Sequence, residues 1–440
     1  MMPMSPIDDG HHEVSNSLPE GYHLKKHSIA PPAQSTRSYI TPRGASTFLP
    51  GAKIEFDIPC GSPGQFLDPS QTVLAFTVRN TNNVNTDTLR LDGSAASVIG
   101  EILLYHGSTQ ISHISDYESL VKLFEDATTD LDSLRSSGTV RGVAEYAPTA
   151  NDLAGLVAAY YSRAGATING GGSLEVAIPL MCIIGTMAHR VLPLSAISDS
   201  LRLEIKLNPA VLWGGWNDAD QSGLVSDVRL YLSHVILDGA VERAMMSSLG
   251  GQYEIPVTDV RSFSHTIEAS SGAATYQFPL RVSSANKVFV VFRPRASAST
   301  SRAYWAIGRT RGTISSYRFR LGAQNIPASE VPCTGSAAEA RAEFIRAMGS
   351  ISDSAARSCV PTSQYISDAA GDYAQGGFAI GLDLQAFAAG DALADGRSLR
   401  HEYLTLDLRM ANNNPALTMT AYILFDKLLT VHSGLLSYSD

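Results

Sequence analysis

Apolar and charged residues alternate strictly along Leu201-Arg202-Leu203-Glu204-Ile205-Lys206-Leu207. Period two sends the leucines and the isoleucine to one face and Arg202, Glu204 and Lys206 to the other, which predicts a strand with one buried and one wet face. The strand closes a stretch, residues 174–208, that opens on Leu174-Glu175-Val176-Ala177-Ile178-Pro179-Leu180 and passes through Met181-Cys182-Ile183-Ile184-Gly185. Pro179 and Pro193 cannot donate to a ladder, so they mark strand ends rather than a helix interior.

Before this stretch, Lys53-Ile54-Glu55-Phe56-Asp57-Ile58 and Val73-Leu74-Ala75-Phe76-Thr77-Val78-Arg79 read as strands separated by turn formers. Residues 101–106 predict a hairpin with residues 110–114 through Gly107-Ser108. A helix follows: Tyr117, Leu120, Val121 and Phe124 share one face, and Ser115 or Asp116 stands where a cap belongs. Residues 126–172, rich in Ser, Gly, Ala and Asp, read as a surface excursion. After the central stretch come a loop with Trp213 and Trp216, then a strand from Val228.

The second half repeats this order. Lys287 to Arg293 stands where Val73 to Arg79 stood, and Ser316 to Leu321 meets a glycine turn at Gly322 as the first hairpin does at Gly107. Ser336 with Glu339 predicts a capping box for a second helix, with Ala338, Ala342, Ile345 and Met348 on its apolar face, Phe344 alongside and Arg341 on the wet face. A polar excursion (349–377) precedes Phe378 to Leu384; Tyr403 to Arg409 matches the alternating strand, and Thr418 to Phe425 matches the strand from Val228. Matching elements are offset by roughly 190 to 220 residues, the spacing of a tandem domain rather than a solenoid.

Each half offers about eight short strands, one helix and one long insertion. The fold expected is therefore all-β, two tandem eight-stranded jelly rolls, each with a short helix and long loop insertions; an immunoglobulin-type sandwich accommodates the helix poorly. The expected division is a flexible N-terminal arm at 1–46, a first jelly roll at 47–240, a linker at 241–254 and a second jelly roll at 255–440. The arm is polar, and Asp8, Asp9, Glu13 and Glu20 balance Lys25, Lys26, Arg37 and Arg43.

Composition adds little to this and subtracts several functions. A net charge of −9 over 440 residues argues against a surface built to neutralise phosphates, and so against specific nucleic-acid binding. Cys60, Cys182, Cys333 and Cys359 are scattered and read as isolated thiols in a reducing compartment. No run of apolar residues predicts a signal peptide or a transmembrane segment. Catalytic signatures are missing: no Gly-x-Ser-x-Gly, no Gly-Lys-Ser/Thr phosphate loop and no His-Glu-x-x-His. His106 and His113 flank a turn while His189, His234 and His265 stand alone, so no cofactor or metal is expected. Asp130-Leu131-Asp132 reads as a solvated loop rather than a cation site.

Two features remain as contact candidates. Trp213-Gly214-Gly215-Trp216 suits either a subunit or glycan contact or burial under a loop. Arg293, Arg295, Arg302, Arg309 and Arg311, with Arg318 and Arg320 beyond, form the one local positive concentration, placed to face acidic neighbours or a genome.

Several short runs carry a family resemblance. Phe66-Leu67-Asp68-Pro69 with Leu74-Ala75-Phe76-Thr77-Val78, the Tyr105-His106-Gly107 hairpin with Asp116-Tyr117, the turn Arg190-Val191-Leu192-Pro193-Leu194, and Tyr422-Ile423-Leu424-Phe425-Asp426 resemble double jelly-roll major capsid proteins of tailless icosahedral double-stranded DNA viruses, nearest the polinton and adintovirus-like branch. The resemblance spans about residues 47 to 436. It implies a structural protein and not an enzyme, a homotrimer forming a pseudo-hexagonal capsomer, neighbouring capsomers, penton and minor capsid proteins as partners, and a place in the virion capsid after assembly inside the host cell. Trp213, Trp216, Arg293, Arg295, Arg302, Arg309 and Arg311 become candidate intersubunit contacts, and the excursions become tower or intersubunit loops. The alternative on the same fold is a two-domain cupin-like or carbohydrate-binding β-protein.

Overall fold

The computed structural model describes residues 33–144, 165–188, 190–216, 222–295, 308–349, 358–368, 376–386 and 395–439. Eight main strands come from the first half: β1 (Ala33–Ile40), β2 (Lys53–Ile58), β3 (Gln65–Asn80), β4 (Ile99–His106), β5 (Thr109–Ile114), β6 (Ser173–Pro179), β7 (Leu201–Leu207) and β8 (Gly223–Leu237). Eight more come from the second: β9 (Gln252–Ile267), β10 (Ala273–Phe278), β11 (Ala285–Pro294), β12 (Ile314–Leu321), β13 (Gln324–Pro332), β14 (Ala379–Asp383), β15 (Leu404–Met410) and β16 (Leu417–His432). The helices of ten residues or more among the described residues are α1 (Tyr117–Thr128), α2 (Gly239–Ser248) and α3 (Ala338–Ala347).

The first half pairs its strands in two sheets, β1-β8-β3-β6 and β2-β7-β4-β5; the second pairs them as β9-β16-β11-β14 and β10-β15-β12-β13. Strand n of one half and strand n + 8 of the other hold the same place, which is the repeat read from the sequence. The main strands pair antiparallel throughout, and in each half the two sheets face each other as a jelly roll. The inner faces make the cores. On β7, Leu203 and Ile205 lie opposite Phe56 and Ile54 of β2 and opposite Leu104 and Ile102 of β4, all buried. On β15, Leu406 and Leu408 lie opposite Phe319 and Tyr317 of β12. Full burial of such side chains stabilises by about 1.5–3 kcal/mol each.

The stretch expected as a flexible arm includes a strand. Ala33–Ile40 runs as a strand paired with β8 from Ala33↔Leu237 to Ile40↔Leu230, and it holds the place in its sheet that β9 holds in the other. Both faces of this strand are open, so Ala33-Gln34-Ser35-Thr36-Arg37-Ser38-Tyr39 carries no apolar period to betray it. Residues 1–32 of the expected arm lie outside the described residues.

Gly107 and Gly322 open the two hairpin turns at φ +58 and +56, a conformation that costs glycine nothing. The turns are both two residues long, closing at His106↔Thr109 and Leu321↔Gln324.

Asp116 stands at the N-cap of α1 as expected, but neither helix has a side-chain cap. The N-cap residues are Asp116 and Ala337, both in the left-handed region, and neither makes a side-chain capping bond. A capping box needs an extended N-cap, which this entry angle removes. On α3 the buried side chains are Ala340, Phe344 and Ala347, while Ala338 and Ala342 are exposed, so the apolar face is rotated from the one expected. The cause is Gly381 on β14: a Cβ there would stand 2.7 Å from the Phe344 Cα and 3.0 Å from the Ala347 Cβ, so the helix seats its small residues directly on the strand. Gly381→Val is therefore expected to cost about 1–3 kcal/mol in urea unfolding, as overpacking does; a wild-type midpoint would show that α3 lifts freely.

The outer face of the β2-β7-β4-β5 sheet is a charge ladder. Lys206 Nζ lies 2.9 Å from Glu101, and Arg202 Nε lies 3.0 Å from Glu204, which is buried beneath it and Lys53. Lys206 is more than half exposed, so Lys206→Glu is expected to cost at most about 1 kcal/mol and to leave the melting profile cooperative. A larger loss would show a packing role for its stem. The corresponding face of the second half carries Arg318 and Arg320, both joined to Asp407 of β15 at 3.2 and 2.6 Å.

Candidate subunit interface

The two jelly rolls meet through α1. This helix belongs to the first half but lies against the outer face of the β9-β16-β11-β14 sheet. The Tyr422 hydroxyl donates to the Asp116 carbonyl at 2.8 Å, and the Ser115 and Ser262 hydroxyls share a hydrogen bond of 2.5 Å. Phe124 meets Phe289 edge-on at 5.6 Å, and Phe289 meets Phe344 of α3 in the same way at 6.2 Å. Phe289 is thus clasped by one helix from each half. Ser112 of β5 donates to Asp259 at 2.6 Å, and Lys427 Nζ donates to the Ile111 carbonyl at 2.5 Å and to Asp259 at 2.8 Å.

Ionic groups are buried in this junction. Arg309 Nη2 lies 2.7 Å from Asp126, and both side chains are 1% exposed; Lys122 Nζ lies 3.2 Å from the other Asp126 oxygen. Backbone Asp126 also accepts from Cys359 N–H and the Ser358 hydroxyl. Arg293 is shared between Glu118 at 3.4 Å and Asp116 at 3.6 Å. Burial pushes the Glu118 carboxyl up to about 7; Arg293 acts against this, and Asp116 reinforces it. Arg293 keeps its charge because Asp116 and Glu118 together outweigh the burial that works against it. Burial likewise raises Glu125, against the pull of Lys122 and of Arg141 at 3.2 Å.

The sequence showed half of α1. Tyr117, Leu120 and Val121 are buried as periodicity requires, but Glu118, Lys122, Glu125 and Asp126 on its other side are buried too. The Lys122–Asp126 spacing of i, i+4 and the arginine concentration at 293–311 were the visible signals; what they lacked was a reason to put the two together.

Among the described residues, no helix of the other jelly roll lies on the same sheet face in the first half. Across β8, β3 and β6 the outward row Arg229–Ala75–Ala177 occupies the register position of Tyr422–Phe289–Gly381. Beside it Tyr39 and Tyr231 lie 5.9 Å apart, with Arg37 over Tyr231 at 4.9 Å and Arg229 over Tyr39 at 5.7 Å. Tyr39 is 58% exposed. One sheet face is thus covered by a helix of the other jelly roll, and among the described residues its counterpart carries no such helix.

Four of the residues expected at an intersubunit contact are buried within the chain. Trp213 and Trp216 are enclosed and satisfied, their indole N–H groups donating to the carbonyls of Asn208 at 2.8 Å and Ala210 at 2.7 Å. The intervening strand pairs with residues 89–91, and a Cβ at Gly214 would fall 1.9 Å from the Arg90 carbonyl oxygen. Arg293 and Arg309 join the two jelly rolls to each other. Arg311 is mostly buried, donating to the Cys333 carbonyl at 2.8 Å. Arg295 is half exposed in a pair with Glu268 at 3.2 Å, and Arg302 lies outside the described residues.

Asp130 caps a short helix, accepting from the Ser133 backbone N–H at 2.7 Å. Among the described residues no group of three His, Cys, Asp or Glu side chains converges as metal ligands, and no helix is long and apolar enough to cross a membrane. None of the four cysteines forms a disulfide.

No family model and no curated protein matches the chain. Solved structures do. The PBCV-1 virus capsid in a quasi-atomic model aligns with a TM-score of 0.64 at 12% identity, covering 94% of this chain and 98% of that one. The Faustovirus major capsid protein aligns at 0.59 and 7% identity, with 93% and 92% covered, and the Sputnik virophage structure at 0.57 and 11%, with 100% and 93% covered. At such identities the likeness is one of fold: the chain has the double jelly-roll fold.

Proposed function

We propose that the chain is a major capsid protein, a structural building block whose homotrimers form pseudo-hexagonal capsomers of an icosahedral shell. The observation that carries the reading is the pair of equivalent sheet faces, one covered inside the chain and one open. On this reading the rotation that superposes the first jelly roll on the second carries the second onto the first jelly roll of another copy, and three copies close the ring. One polypeptide then tiles a hexagonal lattice. The likeness to capsid structures over nearly the whole length of both chains supports this.

The division into jelly rolls at 47–240 and 255–440, with the first extended back to residue 33, belongs to the proposal, as do the capsid location and contacts with neighbouring capsomers, penton and minor capsid proteins. On this reading no residue is catalytic and no cofactor is held. Mass photometry of the purified chain is expected to show a stable species of three times 46.9 kDa that grows into larger shells. A monomer that persists at micromolar concentration and binds a sugar would overturn it.

A further inference from the structure

We propose that α3 of one copy docks on the open β1-β8-β3-β6 face of the next, with Glu339 pairing with Arg79 and Ile345 seated over Ala75. This rests on the trimer reading above and adds the residues that close the ring.

The assignment comes from the junction inside the chain. Both helices start from a left-handed N-cap, Asp116 at φ 50, ψ 41 and Ala337 at φ 46, ψ 37, and that shared irregularity fixes the alignment of α1 on α3. Two residues on, Glu118 corresponds to Glu339; eight on, Phe124 corresponds to Ile345. The strand register fixes the other side. Phe289 lies between Tyr422 and Gly381, as Ala75 lies between Arg229 and Ala177; two residues further along come Val291 and Thr77, and four further Arg293 and Arg79. The contacts Glu118–Arg293 and Phe124–Phe289 therefore transpose to Glu339–Arg79 and Ile345–Ala75.

The side chains suit that use. Glu339 and Arg79 are both exposed, and neither makes an ion pair among the described residues. Ile345 is half buried at the rim of α3. The face differs from its covered counterpart in the direction assembly requires: Phe289, Val291 and Tyr422 are replaced by Ala75, Thr77 and Arg229. A face sealed during folding can be apolar, whereas one that meets water until a second copy arrives has to stay polar. The acid also falls on the helix and the base on the sheet in both interfaces, so the pairing repeats with the same polarity.

Glu339→Arg, Arg79→Glu and the double exchange test this, with trimer dissociation followed by mass photometry on dilution. Each single variant is expected to weaken the trimer about tenfold or more, through like charges brought together, and the exchange to restore most of the loss. Both side chains are exposed, so the unfolding midpoint of the monomer serves as a control and is expected to stay unchanged. A wild-type trimer whose dissociation none of the three variants alters would overturn the pairing while leaving the trimer reading in place. A wild-type chain that never trimerises would overturn both.

Discussion

Asp126→Ala is expected to destabilise the chain by about 3–5 kcal/mol, the cost of stranding buried charge. The Asp126 carboxylate is all but inaccessible and stands against both Arg309 and Lys122, themselves 1% and 2% exposed. Removing it takes from Arg309 and Lys122 the carboxylate they share, and water reaches neither without prising the jelly rolls apart. The loss should therefore show as a lowered urea midpoint together with exposure of the junction, read by faster amide exchange in α1 and β11 than in β2 and β7. Arg309→Met in the same chain is expected to recover part of the loss, since removing charge of both signs is less costly than removing one. An Asp126→Ala protein as stable as wild type would mean that the junction is wet and that the jelly rolls are only loosely joined.

The fold was legible because it is written twice. Alternation at Leu201 to Leu207 and again at Leu404 to Met410 gives strand, face and repeat together, and the glycine turns at Gly107 and Gly322 fix both hairpins. The strand at Ala33–Ile40 was not legible, because pattern reading sees strands through the face they bury and this one buries neither.

The interface was legible only in part. The arginine concentration was visible, but burial inverts its meaning: Arg293 and Arg309 serve the inside of the chain, and the corresponding face of the first half carries the less conspicuous, exposed Arg79 and Arg229. Trp213 and Trp216 illustrate the same limit. Large aromatic residues beside glycines fit either an exposed contact or a closed loop, and the deciding fact is that residues 89–91 bring a strand across them. Composition does not hold that information; pairing between distant segments does.

Glu118 gives the second large effect, one that depends on pH. Its carboxyl sits at about 7 in the folded chain against an ordinary 4.5, because burial disfavours the anion more than the shared Arg293 favours it. A carboxyl raised in the native state binds its proton more tightly folded than unfolded. Below pH 4.5 both states are protonated and the group is neutral for stability. As pH rises from 4.5 to 7 the unfolded chain ionises first, so the native state loses stability progressively, and above 7 the full cost is present. At 1.36 kcal/mol per pKa unit the loss amounts to about 3 kcal/mol. Glu118→Gln keeps the shape of the protonated form and removes the titration. The variant is therefore expected to match wild type near pH 4.5 and to exceed it by about 3 kcal/mol at pH 8, measured by urea unfolding across that range. Should the variant instead be weaker than wild type at pH 8, the Glu118–Arg293 pair would outweigh its burial, and the junction would gain stability from the charge it encloses.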